Sequence, residues 1–181
     1  MKSISITGDL GSGKSTVAKI LAEKLGYNYV STGSIQRKMA EERGMNTLEL
    51  NYYAEKNKEI DDAIDHYLIS LDQNNENYVL DSRLAWHFVK RTFKVYLTVT
   101  PEIAAKRVMT DDMRTGEPGA KDLQERVHTL TERQNVENRR YLNLYHVNCR
   151  DMNNYDLVLD TSFCEIDEVA DKIIKEVAKH E

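Results

Sequence analysis

Near the start of the chain stands Gly8-Asp9-Leu10-Gly11-Ser12-Gly13-Lys14-Ser15-Thr16, and no other stretch restricts the fold as tightly. It satisfies G-x-x-x-x-G-K-[ST] at Gly8, Gly13, Lys14 and Ser15. Glycines permit dihedrals in which successive backbone N–H groups turn inward around an anion, dihedrals that a β-carbon obstructs. The strand-like run Ser3-Ile4-Ser5-Ile6-Thr7 precedes the loop, and Val17, Ile20, Leu21 and Leu25 follow it on one helical face. A strand, a glycine loop and a helix N-terminus in this order make a phosphate site, because the helix dipole and its free N–H groups point at the anion. All of Gly8 to Thr16 is expected to hold ATP. Lys14 should reach the β- and γ-phosphates, Ser15 should offer its hydroxyl to Mg²⁺, and Thr16 should touch the α-phosphate.

The remaining sequence reads as alternating strands and helices, which implies an α/β fold. The expected architecture is a three-layer α/β/α domain of the P-loop NTPase type with a central parallel sheet of five strands. Tyr27 to Val30, Tyr78 to Leu80, Phe93 to Val99 and Tyr155 to Leu159 supply the later strands. Helices are expected from Gly33 to about Arg43, around Ile60 to Leu71, from Thr100-Pro101, from about Lys121 to His146, and through Ile166, Val169, Ala170, Ile173, Ile174 and Val177. Thr100 is the expected cap of its helix, and Ser162-x-x-Glu165 reads as a capping box for the last one. Residues 110–121, with two glycines, a proline and several charges, read as a mobile lid.

With 181 residues, residues 1–181 are expected to form a single domain. The net charge of −5 speaks against nucleic-acid polymers as partners. No apolar run reaches the ~20 residues of a membrane span, and the N-terminus lacks signal-peptide character. A cytoplasmic monomer is expected. Cys149 and Cys164 lack metal-ligand spacing and read as reduced, partly buried residues.

A guanine-reading N-K-x-D is missing, since Asn57-Lys58-Glu59-Ile60 ends on isoleucine, and Asp81-Ser82-Arg83-Leu84 is not a D-x-x-G. That turns the reading from GTPases to small-molecule kinases. Arg133 and Arg140 lie two helical turns apart on one face with Glu137 between them. Arg37 follows the second strand and Arg83 the third, so four arginines are expected to converge on one anionic acceptor. Arg139 is the alternative to Arg140. Asp81, at a strand end beside the loop, is expected to hold Mg²⁺ through water. Arg107 and Arg114, beside and within the lid, are expected to clamp the transferring phosphoryl group, with Arg107 on the ATP side.

These segments together resemble the nucleoside monophosphate kinases, and among them the cytidylate kinases of the short archaeal type. The likeness runs through Gly8 to Tyr27, Ser31-Thr32-Gly33 with Arg37, Met39 to Met45, Glu59-Ile60-Asp61, Asp81 to Trp86, Glu132-Arg133, Arg139-Arg140-Tyr141 and Tyr155 to Ser162. It implies an acceptor-binding helical region at about 33–75, the lid at 110–121, and transfer from ATP–Mg²⁺ to CMP or dCMP. It also offers Thr32, Asp61 and Glu137 as base or ribose contacts. Two residues depart from the pattern. Ser82 stands where the family has glycine, and Asp61 stands where bacterial members carry a base-contacting arginine. A phosphate monoester is largely dianionic above its second pKa of ~6, so such an acceptor needs no general base, and the sequence offers no obvious one. A kinase of another monophosphate or a small alcohol, and an ATP-binding regulatory module without transfer activity, stand as alternatives.

Overall fold

The computed structural model describes residues 3–111 and 118–180. Five parallel strands form one sheet in the order β2-β3-β1-β4-β5. They are β1 (Ser3–Gly8), β2 (Asn28–Ser31), β3 (Tyr78–Asp81), β4 (Thr92–Thr98) and β5 (Leu157–Asp160). The central strand β1 is buried at every position, as expected of a strand covered on both faces. Its register sets Ile6 beside Asp81 on one side and Gly8 beside Leu97 on the other. Ser31 pairs with Asp81 and Thr98 with Asp160, so all five carboxyl ends open at one edge. In sheets of this kind, ligands bind where the strand order reverses, which here is the end of β1.

One face is covered by α1 (Lys14–Leu25) and α8 (Ile166–Lys179), with Val17, Leu21, Val169, Ile173 and Val177 packed on Ile4, Ile6 and Val95. Each such aliphatic side chain contributes roughly 1.5–3 kcal/mol through its burial. The other face carries α2 (Thr32–Glu42), α3 (Thr47–Ala54), α4 (Glu59–Asp72) and the short α5 (Ala85–Phe88), whereas α6 (Pro101–Met109) and α7 (Leu123–Tyr145) pack on each other over Leu10 and Val99. Helices α2, α3 and α4 fill the stretch expected to bind the acceptor and share a core with Leu80 and Val89. Among the described residues, no helix is long and apolar enough to cross a membrane.

Several expectations need correction. Helices α3 and α5 appear where none was assigned. Thr100 occupies the N-cap of α6, but its side chain makes no capping bond. The box at Ser162 and Glu165 does not form: α8 starts after Glu165, and the Ser162 N–H and hydroxyl both donate to Asp160 Oδ1 (2.8 and 2.6 Å). Residues 112–117 of the expected lid, Arg114 among them, lie outside the described residues. Both cysteines are free, Cys149 buried and Cys164 half-buried.

Candidate active site

The loop after β1 is shaped by two glycines that no other residue could replace. A β-carbon on Gly8 would overlap the Leu97 carbonyl, because β1 and β4 run in contact there. Gly11 has φ +81°, and a β-carbon on it would stand 2.8 Å from the Ala104 backbone. Neighbouring residues hold the loop's carbonyls. Arg83 Nη1 donates to the Gly8 carbonyl. Arg107 Nη1 lies 3.5 Å from the Gly11 carbonyl, and the Thr161 hydroxyl lies 2.9 Å from that of Ser12. Carbonyls engaged in this way leave the loop's N–H groups to an anion. The Ser12 hydroxyl is buried and meets no hydrogen-bond partner among the described residues, as suits a group kept for a ligand. A cleft of about 700 Å³ opens over the loop, walled by residues 11–17, Arg107, Val108, Thr161, Cys164 and Ile166.

Asp81 meets this cleft only through Ser15 and Lys14, two of its lining residues. Its Oδ2 accepts from Ser15 (2.5 Å), Ser31 and Tyr29 (both 3.3 Å), and its Oδ1 lies 3.6 Å from Lys14 Nζ. Burial alone would raise this carboxyl. The Lys14 ammonium, the Ser15 and Ser31 hydroxyls and Arg83 outweigh that and hold it below the usual carboxylate range. A hydroxyl and an anionic carboxylate in contact are hard oxygen donors that fit Mg²⁺.

Beyond Asp81 lies a second cavity of about 50 Å³, lined by Lys14, Arg37, Arg83, Arg133, Glu137 and Thr32 among others. Glu137 is its centre of charge, 2 % exposed. Its carboxylate accepts from Arg83 Nε (2.8 Å) and Arg133 Nε (3.0 Å), with Asn51 Nδ2 at 3.4 Å. Burial pushes the Glu137 carboxyl up, and the three guanidiniums of Arg83, Arg133 and Arg140 pull it down to about 2. The Trp86 indole N–H donates to the Arg83 carbonyl (2.9 Å) and fixes the turn from which Arg83 projects.

Three of the four expected arginines therefore meet, and the fourth does not. Arg140 is bound to Asn51 Oδ1 (2.6 Å) and lies 3.1 Å from Asp61, in the seam between α7, α3 and α4. It lines neither cavity, and neither does Asp61, whose carboxyl burial raises. Arg139 is bound to Glu55 (2.8 Å) and does not take its place. Arg107 Nη2 donates to the Thr161 and Ser162 carbonyls (2.6 and 3.4 Å) while Nη1 reaches the loop, so it holds backbone at the wall of the larger cleft. Asp9 and Leu10 belong to the loop, but their side chains do not line the larger cleft. Leu10 packs with Val99, Ala104 and Leu130, and its outer edge meets the smaller cavity. Thr32, Gly33 and Gln36 line the smaller cavity, and Thr16 the larger cleft. Ser82 is buried and built in, its carbonyl accepting from Thr7 (3.0 Å) and its Oγ from Leu84 N–H (3.3 Å). Thr161 and Gln134 were missed. Thr161 stands in the stretch Tyr155 to Ser162 that carries the family likeness, with no role assigned to it there, and Gln134 reads from its position as one more polar residue on a helix.

The chain is similar to several known proteins. The family described as "AAA domain" matches residues 4–140. The cytidylate kinase of Pyrobaculum arsenaticum is 36% identical over 169 residues, 91% of this chain and 86% of that one. The cytidylate kinase of Sulfurisphaera tokodaii is 37% identical over 174 residues, 95% of this chain and 92% of that one. Among solved structures, the shikimate kinase of Bacteroides thetaiotaomicron superposes with a TM-score of 0.66 at 14% identity, covering 98% of both chains, a likeness of fold.

Proposed function

The chain belongs to the cytidylate kinases, which phosphorylate nucleoside monophosphates, and on that premise we propose that it transfers the γ-phosphoryl group of ATP to the 5′-phosphate of CMP or dCMP. The observation that carries the reading is that Lys14, Ser15 and Arg37 line both cavities, so a donor and an acceptor would share them at the point of transfer. Phosphoryl transfer of this kind depends on alignment and charge neutralisation more than on proton transfer. An acceptor phosphate that is already dianionic supplies its own nucleophilic oxygen. This fits a site whose central carboxylates, Asp81 and Glu137, are both held in the charged form by their cationic neighbours.

Each group then has a task. Lys14 exchanges Asp81 for donor phosphate oxygens. Arg83 and Arg133 take the acceptor phosphate with nitrogens that Glu137 does not engage, and Arg37 stands at the junction. Ser15 and Asp81 would hold Mg²⁺, which would neutralise charge on the transferring group. The choice of cytidine rests on the family.

ADP release from ATP–Mg²⁺ tests the proposal when measured in parallel with CMP, dCMP, UMP, AMP, GMP and small alcohols. Stimulation by CMP and dCMP is expected. Failure of every monophosphate to stimulate would sink the reaction, and a strong preference for AMP or UMP would sink the base assignment alone.

A further inference from the structure

The reaction gives no task to the one carboxylate of the phosphate loop, Asp9. A carboxylate in a loop that holds a polyanion is electrostatically adverse, and Asp9 is held there by three donors from outside the loop. Its Oδ1 accepts from Gln134 Nε2 (2.7 Å) and the Tyr96 hydroxyl (2.9 Å), and its Oδ2 from the Val99 N–H (3.2 Å). Tyr96 and Val99 belong to β4 and the turn after it, whereas Gln134 stands in the middle of α7.

Gln134 directly follows Arg133, and Glu137 stands one turn beyond Arg133. Successive helical residues are rotated by about 100° around the axis, so fixing one side chain fixes the direction of its neighbours. With Gln134 held by the loop, α7 cannot turn about its axis without breaking that bond, and Arg133 and Glu137 stay directed into the acceptor cavity. The preceding loop residue makes a parallel link, since the Gly8 carbonyl accepts from Arg83. Two consecutive loop residues are thus joined to the acceptor side, one to an acceptor arginine and one to the neighbour of another.

We propose that Asp9 and Gln134 are positioning residues that tie the donor loop to the acceptor helix and set the direction of the acceptor arginines. The proposal rests on the kinase reading above. The same pair could instead be a plain staple of the fold, and the two roles differ in which substrate suffers when the pair is broken.

The test combines steady-state kinetics, with ATP and CMP varied separately, and thermal unfolding. Gln134→Leu is expected to raise the KM for CMP about tenfold and lower kcat, while the KM for ATP stays within about twofold, as suits the loss of one hydrogen bond to a charged group. The reciprocal pair Asp9→Asn with Gln134→Glu moves the carboxylate to the helix and the amide to the loop. It should bring the KM for CMP back to within about threefold of the unaltered protein. Unchanged kinetics in Gln134→Leu would overturn the proposal. So would a defect that the reciprocal pair does not repair, or an equal rise in both KM values with a lowered Tm. If Gln134→Leu does not fold, Asp9→Asn compared with the reciprocal pair decides by the same criteria. A missing CMP response in the unaltered protein would remove the kinase reading itself, a result that no variant can imitate.

Discussion

Glu137→Gln is the most direct probe of the charge cluster. The carboxylate lies 2.8 Å from Arg83 and 3.0 Å from Arg133, almost fully buried. An amide can accept from one guanidinium but presents its NH₂ to the other, and it brings negative charge to neither. Glu137 is held from 4.5 down to about 2, and a carboxyl so held contributes roughly 3 kcal/mol at neutral pH. Because the folded value lies below the unfolded one, this stabilisation is complete above about 4.5 and disappears as pH falls from there through about 2. Urea unfolding of both proteins between pH 7 and pH 2.5 gives the difference. It should be roughly 3 kcal/mol at pH 7 and shrink to about 1 kcal/mol near pH 2.5. A difference that stays constant with pH would refute the argument, since titration of this carboxyl is its source. So would a difference below about 0.5 kcal/mol at pH 7, a value ordinary for surface substitutions.

Three more outcomes follow from the geometry. Lys14→Ala should cut monophosphate-dependent ADP release by at least about a hundredfold while circular dichroism stays unchanged, because on the proposed reading the lysine would neutralise transferring charge. Gly11→Ala forces a β-carbon to within 2.8 Å of the Ala104 backbone at φ +81°, so titration calorimetry should show weakened ATP binding, and unfolding a loss of about 2 kcal/mol. Asp65, whose carboxyl burial raises to about 6 and which accepts from Tyr145 (2.5 Å), stabilises most when protonated. Its contribution is present below about 3.8 and lost as pH rises through about 6. Asp65→Asn should therefore raise the Tm at pH 7.5 relative to the unaltered protein, and less so at pH 4.

Local patterns revealed the parts of the fold that obey local rules. The loop between β1 and α1 was legible because its motif, strand and apolar helix face agree. The stripe of α8 was legible because Val169, Ala170, Ile173 and Val177 are all buried on one side. Helix α3 escaped notice because its buried positions are Thr47, Leu50, Asn51 and Ala54, two of them polar, so apolar periodicity fails. Its start was readable all the same, for Asn46 and Glu49 form a complete capping box. Ser162 misled because a hydroxyl can serve a nearby turn as well as a helix end, and Asp160 captured it. In the site, the helical spacing of Arg133, Glu137 and Arg140 was right, but spacing cannot say what stands opposite. Asn51 and Asp61, from other helices, claim Arg140.

The clasp between Thr161 and the Ser12 carbonyl spans 149 positions of the chain. The loop that would grip ATP is thus synthesised well before the residue that finishes it. Strands β1, β3 and β4 can pair as soon as residue 98 has been made. The carbonyl of Ser12 waits for β5 and the turn after it. Chains halted before residue 161 should already own most of their sheet and still bind ATP poorly. Nucleotide binding would then report that β5 has joined the sheet, a check performed by an edge strand on behalf of the central one.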